Sequence, residues 1–415
     1  MYKKYEKVKE ILKENKQEHL LIWYDKLIEQ KREQLLDRIL TIDFEQINEL
    51  YKQAKQKKDF KECKVEPLSY IDKEKLSKED KEKYEAEGKK EIAEGKYAVV
   101  TMAGGQGTRL GHNGPKGTFE LEVGEKKPLF TLLAQTIKEA NKKYNVTIPW
   151  YIMTSRENNY KTTDFFKRHD YFGMGEENIK FFIQNELPMV DVKGKILVDE
   201  AGMIKDAADG HGGIFEAMNK DGIIKDMKKR GIKWIFIAGV DNVLAKMVDP
   251  ILTGLAIENK CLAAGKSVVK SNPKERVGVF CKKDNRPSVI EYTEITDEMA
   301  EARDENGELL YGESHILCNL FNIKAIEEIA KNKLPYHSAF KKAKYIDKNG
   351  VIVVPEVPNA YKFEAFIFDA FERLDDMAIM RVKREEEFAP VKNAEGVDSP
   401  ETAAKLYLDY IKNKK

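Results

Sequence analysis

The stretch Tyr97-Ala-Val-Val-Thr-Met-Ala103, running into Gly104-Gly-Gln-Gly-Thr-Arg-Leu-Gly111 and then Asn113-Gly-Pro-Lys-Gly117, decides how the rest of the chain reads. An apolar run that stops at a glycine cluster has the form of a parallel strand buried on both faces. The glycines let backbone N–H groups approach an anion closely, and Arg109 and Lys116 bring two positive charges to the same place. A tight turn alone would use the same glycines. Two cations and a Pro-Lys-Gly point instead to a polyphosphate. Neither common nucleotide motif fits, because no Gly-Lys-Ser/Thr follows the glycines and Leu110 occupies the third-glycine position of the dinucleotide fingerprint.

Downstream, helix and strand alternate. Pro128 opens a helix with Leu129, Leu132, Leu133, Ile137 and Ala140 on one face, and Pro149-Trp-Tyr-Ile-Met-Thr154 reads as the next strand. Further strands are expected at 179–184, 233–240 and 266–270, with helices at 214–229 and 250–264 between them. This alternation predicts an α/β fold, a doubly wound Rossmann-like mixed sheet. Closer strands at 277–281, 288–295 and 315–323 suggest an antiparallel or mixed section. Upstream, Leu20, Trp23, Leu27, Leu35 and Ile39 fall near one helical stripe, Asp43 with Gln46 looks like a capping box, and Ser77 with Asp80 could open another helix. Residues 1–95 are therefore read as an N-terminal helical cap, 96–345 as the catalytic domain and 346–415 as a C-terminal segment completing the site.

The 415 residues are 42% hydrophobic, and 72 basic against 71 acidic side chains leave no field that would draw the chain onto nucleic acid or an anionic membrane. No apolar run approaches a membrane span, and lysines mix with glutamates from the first residues, so a cytoplasmic protein is expected. The four cysteines, Cys63, Cys261, Cys281 and Cys318, lie far apart and read as reduced, mostly buried thiols.

The Gly-Gly-x-Gly-Thr-Arg-Leu-Gly loop with Pro-Lys-Gly a few residues later resembles the signature of the sugar-nucleotide pyrophosphorylases. More narrowly, the chain is similar to the UDP-N-acetylhexosamine pyrophosphorylases. Trp150-Tyr-Ile-Met-Thr-Ser155, Phe181-Phe-Ile-Gln184, Ala208-Asp-Gly-His-Gly-Gly213, Val240-Asp-Asn242, Glu291-Tyr-Thr-Glu294 and Pro390-Val-Lys-Asn-Ala394 match blocks of that family in order. The resemblance implies a uridylyltransferase that joins UTP to a hexose 1-phosphate, N-acetylglucosamine 1-phosphate foremost, and releases pyrophosphate with Mg²⁺ as cofactor.

Residue by residue, the resemblance implies nucleotide contacts at Gly104, Gly105, Gly107, Thr108, Gln184 and Gly210, and magnesium at Asp241. Sugar contacts are implied at His211, Gly278, Glu291, His315, Phe366 and Phe368, and charge stabilisation by Arg109, Lys116 and Lys392. On the residues alone, Gln184 could equally be a strand-end polar group, Asp241 a helix cap, Glu291 a solvent-facing strand residue and Lys392 a surface lysine. The chain departs from the family at His211 and His315, where asparagines are expected. His211 is more reminiscent of UDP-glucose enzymes, which keeps a UDP-glucose or UDP-galactose pyrophosphorylase as the alternative. A nucleotide-sugar sensor without turnover is the reading from a different class. Because Lys415 follows soon after Lys392, the extra C-terminal domain of longer relatives is expected to be missing.

Overall fold

A computed structural model of the chain describes residues 1–56 and 63–414. Two compact units emerge, each assembled from three stretches of sequence: Met1–Lys61, Asn185–Gly213 and Leu334–Phe366 in the first, Glu62–Gln184, Ile214–Lys333 and Ile367–Lys415 in the second. Among the described residues, no helix is long and apolar enough to cross a membrane.

The second unit is built on an 11-stranded sheet. In chain order its strands are β1 (Val65–Pro67), β2 (Ile71–Asp72), β3 (Tyr97–Met102), β4 (Trp150–Thr154), β5 (Ile179–Ile183), β6 (Trp234–Gly239), β7 (Ala263–Val269), β8 (Val279–Lys283), β9 (Arg286–Ile290), β10 (Glu313–Asn322) and β11 (Ala378–Arg381). The spatial order is β2-β11-β7-β10-β6-β3-β4-β5, with β8 joining β1, β9 and β10 off this path. Strands β6, β3, β4 and β5 run parallel to one another. Strand β10 is antiparallel to both of its neighbours β6 and β7, which makes the sheet mixed.

Strands β3, β4 and β6 are buried at every residue, as strands covered by helices on both faces must be. Their side chains feed a core that includes Val99, Phe130, Ile137, Trp150, Phe166 and Phe236. Polar groups inside this layer are paired: Trp150 Nε1 donates to Thr101 Oγ1 at 2.8 Å, and the Tyr97 hydroxyl donates to the Met247 carbonyl at 2.9 Å. Helix Lys78–Ala93 and helix Pro250–Glu258 meet through glycines. A Cβ at Gly88 would lie 1.8 Å from the Pro250 carbonyl oxygen, and one at Gly254 would lie 1.8 Å from that of Tyr84.

The least expected part of this interior is ionic. Lys266, on β7 and 1% exposed at its side chain, sits 2.8 Å from Asp249 and also donates to Glu387. Lys73 reaches the same two carboxylates at 3.3 and 3.2 Å. Burial alone would push the Asp249 carboxyl up, but the Lys266 and Lys73 ammonium groups outweigh it and hold it well below the usual carboxylate range.

In the first unit, helices Tyr2–Glu14, Glu29–Leu40 and Phe44–Lys55 share an apolar core with short antiparallel strands. The strand Ala360–Glu364 pairs with His337–Lys341 and with Val190–Asp191. Gln17 ties helix to hairpin, donating to the Gly194 carbonyl at 3.0 Å and accepting from the Ile196 N–H at 3.1 Å.

The α/β mixed sheet expected from the sequence is present, and the expected helix caps form at Asp43 and Ser77. The stripe from Leu20 to Leu27 runs through two short 3₁₀ turns, Glu18–Leu21 and Tyr24–Lys26, and ends extended at Leu27, with the helix starting only at Glu29. The helix expected over 214–229 is two, Ile214–Lys220 and Ile223–Lys229, broken at Gly222 with φ +72°. Residues 1–95 are not purely helical, since β1 and β2 add to the sheet and helix Lys78–Ala93 packs within the second unit. The units thus divide the chain differently from the contiguous segments 1–95, 96–345 and 346–415, because strand pairing, not sequence order, assembles them.

Replacing Lys266 with Met would leave two buried carboxylates without their central counter-charge, an expected loss of about 3–5 kcal/mol. Urea unfolding should show a lower midpoint with an unchanged slope. Because the Asp249 carboxyl is held below its ordinary value of 3.8, its contribution is full above that pH and is lost as the pH falls further. Stability of the parent protein that does not drop on acidification below about pH 4 would contradict this account.

Candidate active site

Strand order reverses direction between β3 and β6. From β3 the chain winds outward to β4 and β5 on one side, and β6 then pairs with β3 on the other. A ligand crevice in an open α/β sheet opens at such a point, beyond the carboxyl ends of the strands. Register puts those ends level, with Met102 opposite Gly239.

Beyond Met102, the Ala103 N–H still pairs with the Met153 carbonyl at 2.8 Å, and the chain then leaves the sheet at Gly104. The loop is closed on itself by Lys116 N–H donating to the Gly105 carbonyl at 3.0 Å and Gly107 N–H to the Gly114 carbonyl at 2.9 Å. It is held from outside by Asn158, which is fully buried. The Asn158 amide donates to the Ala103 carbonyl at 2.9 Å and the Gly105 carbonyl at 3.3 Å, and its oxygen accepts from the Ser155 N–H at 2.8 Å. Gly117 has no room for a side chain, since a Cβ would lie 2.2 Å from the Phe130 ring. Gly105, Thr108 and Arg109 lie exposed on the loop's outer side.

Gln184, 8% exposed, continues β5 with its N–H donating to the Thr154 carbonyl at 2.8 Å. A Cβ at Gly104 would stand 2.6 Å from Gln184 Oε1, so the absence of a side chain at 104 is what admits the amide. From the other strand end, Asp241 follows β6, and Lys116 Nζ lies 3.7 Å from Asp241 Oδ2 with both side chains about one-fifth exposed. Gly239 leaves space beside the carboxylate, where a Cβ would come 2.6 Å from Asp241 Oδ1. Among the described residues no group of three His, Cys, Asp or Glu side chains forms a metal cage. The donor set is one carboxylate, which suits a hard cation shared with substrate phosphates.

The segment leading to Lys392 attaches directly to this point: the Val391 N–H donates to the Asp241 carbonyl at 3.0 Å. Lys392 Nζ lies 3.6 Å from Asp398 and over the Phe388 ring.

Four of the expected sugar-contact residues gather in the same unit. The His315 N–H donates to the Gly278 carbonyl at 2.8 Å. A Cβ at Gly278 would lie 3.6 Å from Glu291 Oε1, and the His315 ring stands edge-on to Phe280 at 5.0 Å and Phe368 at 6.1 Å. His315 Nε2 is 3.2 Å from the Asn319 amide oxygen. The other two, His211 and Phe366, lie in the first unit together with the expected nucleotide contact Gly210. Gly210, at φ +85°, leaves no space for a Cβ against the Ala365 carbonyl, and the His211 ring lies 5.4 Å from that of Phe366.

Asn158 carried no role in the sequence reading, and Asn242 appeared only as part of a matching block. Beside one local bond each, to the Ser155 and Leu244 N–H groups, the partners that give the two amides their importance lie in distant stretches of chain. Asn158 donates to carbonyls 53 and 55 residues away, and Asn242 bonds groups 145 and 147 residues away.

Comparison with known proteins bears on this geometry. The chain is similar to human UDP-N-acetylhexosamine pyrophosphorylase-like protein 1, at 38% identity over 336 residues, 78% of this chain and 66% of the human one, just under two thirds of its length. It is 36% identical to Arabidopsis thaliana UDP-N-acetylglucosamine diphosphorylase 2 over 96% of this chain and 82% of that protein. The crystal structure of the Trypanosoma brucei uridine diphosphate N-acetylglucosamine pyrophosphorylase superposes with a TM-score of 0.83 at 31% identity, covering 96% of this chain and 83% of that one. The family model described as UTP–glucose-1-phosphate uridylyltransferase matches residues 42–398, and the chain belongs to that family.

Proposed function

We propose that the protein joins UTP to N-acetylglucosamine 1-phosphate, forming UDP-N-acetylglucosamine and pyrophosphate with Mg²⁺. The observation that carries this reading is Lys116 beside Asp241 at the level ends of β3 and β6, beneath a glycine loop whose neighbour is the Gln184 amide. The names of the relatives above support the sugar.

The sugar phosphate is an anion at neutral pH and already a competent nucleophile, so its attack on the α-phosphorus of UTP needs no general base. What the chain supplies is position and charge. Gly104 and Gln184 hold the uracil edge, for which an amide and backbone groups provide donors and acceptors. Lys116 and Arg109 hold the triphosphate, and Lys392 holds the incoming phosphate. Asp241 would hold magnesium, which when bound shares its charge with the phosphate oxygens. Glu291 accepts sugar hydroxyls, and Phe368 lines the sugar site.

One observation favours a second reading: His211 stands where asparagine is expected in N-acetylhexosamine enzymes, so glucose or galactose 1-phosphate is the alternative acceptor. Pyrophosphate release from UTP should be compared for N-acetylglucosamine, N-acetylgalactosamine, glucose and galactose 1-phosphates. The proposal expects N-acetylglucosamine 1-phosphate to be preferred; preference for glucose or galactose establishes the alternative, and no turnover with any acceptor leaves a sensor. Lys116→Ala is expected to lower turnover on the order of a hundredfold, and a loss below about fivefold would remove it from charge stabilisation. Asp241→Ala should abolish the response of turnover to added magnesium; an unchanged response rules out its metal role. Gly104→Ala, which drives a methyl group into Gln184, should raise the KM for UTP far more than that for the sugar phosphate.

A further inference from the structure

The loop after β6 and the segment before Lys392 are stitched together by more than the single bond at Asp241. Asn242, 4% exposed, uses both ends of its amide on that segment: Nδ2 donates to the Glu387 carbonyl at 2.8 Å, and Oδ1 accepts from the Ala389 N–H at 2.9 Å. The Val243 N–H donates to the Ala389 carbonyl at 3.2 Å, and residues 242 and 390 form an isolated β-bridge. The Glu387 side chain, 2% exposed, is anchored by Lys266 and Lys73. Residues 387–391 are therefore held at the Glu387 side chain, at the Glu387 carbonyl, at both backbone groups of Ala389 and at the Val391 N–H, and the next residue is Lys392.

An asparagine is the one side chain of this size that offers a donor and an acceptor in one plane. Aspartate would lose the donor and leucine both. A residue serving only to turn the chain would satisfy local groups; Asn242 does so weakly, accepting from the Leu244 N–H at 3.3 Å, while its two short bonds span 145 and 147 residues. Its neighbour in sequence is Asp241, so the same dipeptide carries the carboxylate and fixes the segment bearing the lysine.

We propose that Asn242 is a positioning residue for uridylyl transfer: by clamping residues 387–391 to the loop of Asp241, it sets where Lys392 stands relative to that carboxylate. The inference rests on the assignment of Lys392 to the acceptor phosphate made above. Misplacement of a reacting group by about 1 Å can cost on the order of a hundredfold in rate, so a clamp without substrate contact can still govern turnover.

The test is a double-mutant cycle of Asn242→Ala and Lys392→Ala, assayed by pyrophosphate release with the sugar 1-phosphate the parent enzyme prefers. Asn242→Ala should lower kcat/KM for the sugar phosphate about tenfold or more while leaving the KM for UTP within about twofold, because the Gly104–Gln184 side is not tied to the clamp. In the Lys392→Ala background the same change should cost less than about twofold, since the residue it positions is gone. Multiplying effects, or an Asn242→Ala enzyme as active as the parent, overturns the proposal. A fully active Lys392→Ala single variant instead removes the assignment of Lys392 itself, a failure read from a different arm. If Asn242→Ala does not fold, Asn242→Asp keeps the size and the acceptor for Ala389 but sets a carboxylate oxygen against the Glu387 carbonyl in place of the donor. It should lower the same kinetic parameter with the same non-additivity, and parental kinetics in it are equally fatal.

Discussion

The parallel pairing of Trp234–Gly239 with Tyr97–Met102 is the constraint from which the site follows. Six residue pairs in register bring two strand ends level, and the connections that leave those ends carry Lys116 and Asp241. The register is enforced by burial. Both strands are covered on both faces, so sliding one residue would exchange every side chain between two differently shaped layers and break the packing around Phe236, Val99 and Trp150. Lys116 reaches Asp241 because that ladder sets Met102 level with Gly239 and because the Lys116 N–H and Asn158 tie down the Gly105 carbonyl just beyond it.

Around this centre the molecule uses neutral amides where precision of backbone placement is needed and charges where elements must be held from within. Asn158 binds two carbonyls of the glycine loop, and Asn242 binds the Lys392 segment. Each amide is buried, and each would leave unpaired backbone groups if shortened. Deeper in the sheet, Lys266, Lys73, Asp249 and Glu387 join β7, the start of helix Pro250–Glu258, and the stretch leading to Lys392. Such an arrangement gains little stability over an apolar core, but it tolerates only one relative placement of its members.

What the sequence made legible follows from the range of the interactions. The apolar runs at 97–103 and 233–240 announced buried strands because burial on both faces leaves a local trace, and the caps at Asp43 and Ser77 were visible because a cap is satisfied within three residues. The break at Gly222 was hidden by apolar residues that continue the helical period on both sides. The assignment of residues 63–95 to the sheet unit was out of reach, since Ile71 pairs with Met380 and nothing in either short segment specifies the other. In the candidate site, the glycine loop and its cations were legible from residue types alone as a group suited to a polyphosphate. The adjacency of Gly104 to Gln184, and of Gly278, Glu291 and His315 to one another, came only with the fold.

The interleaving of the two units bears on how the chain is made. Neither can close while the polypeptide is half synthesised: the first needs residues up to Phe366, and in the second β2 has no partner until Ala378–Arg381 has been added. Early strands must therefore wait, with β3 and β4 paired but β3 still lacking β6, while residues 155–233 are added. Contacts between remote parts of a chain form slowly because the loop they close must first be ordered. During translation at about 5–20 residues per second, the apolar faces of those waiting strands stay uncovered for many seconds. The order in which this sheet can be assembled thus leaves its central strands incomplete until late in synthesis.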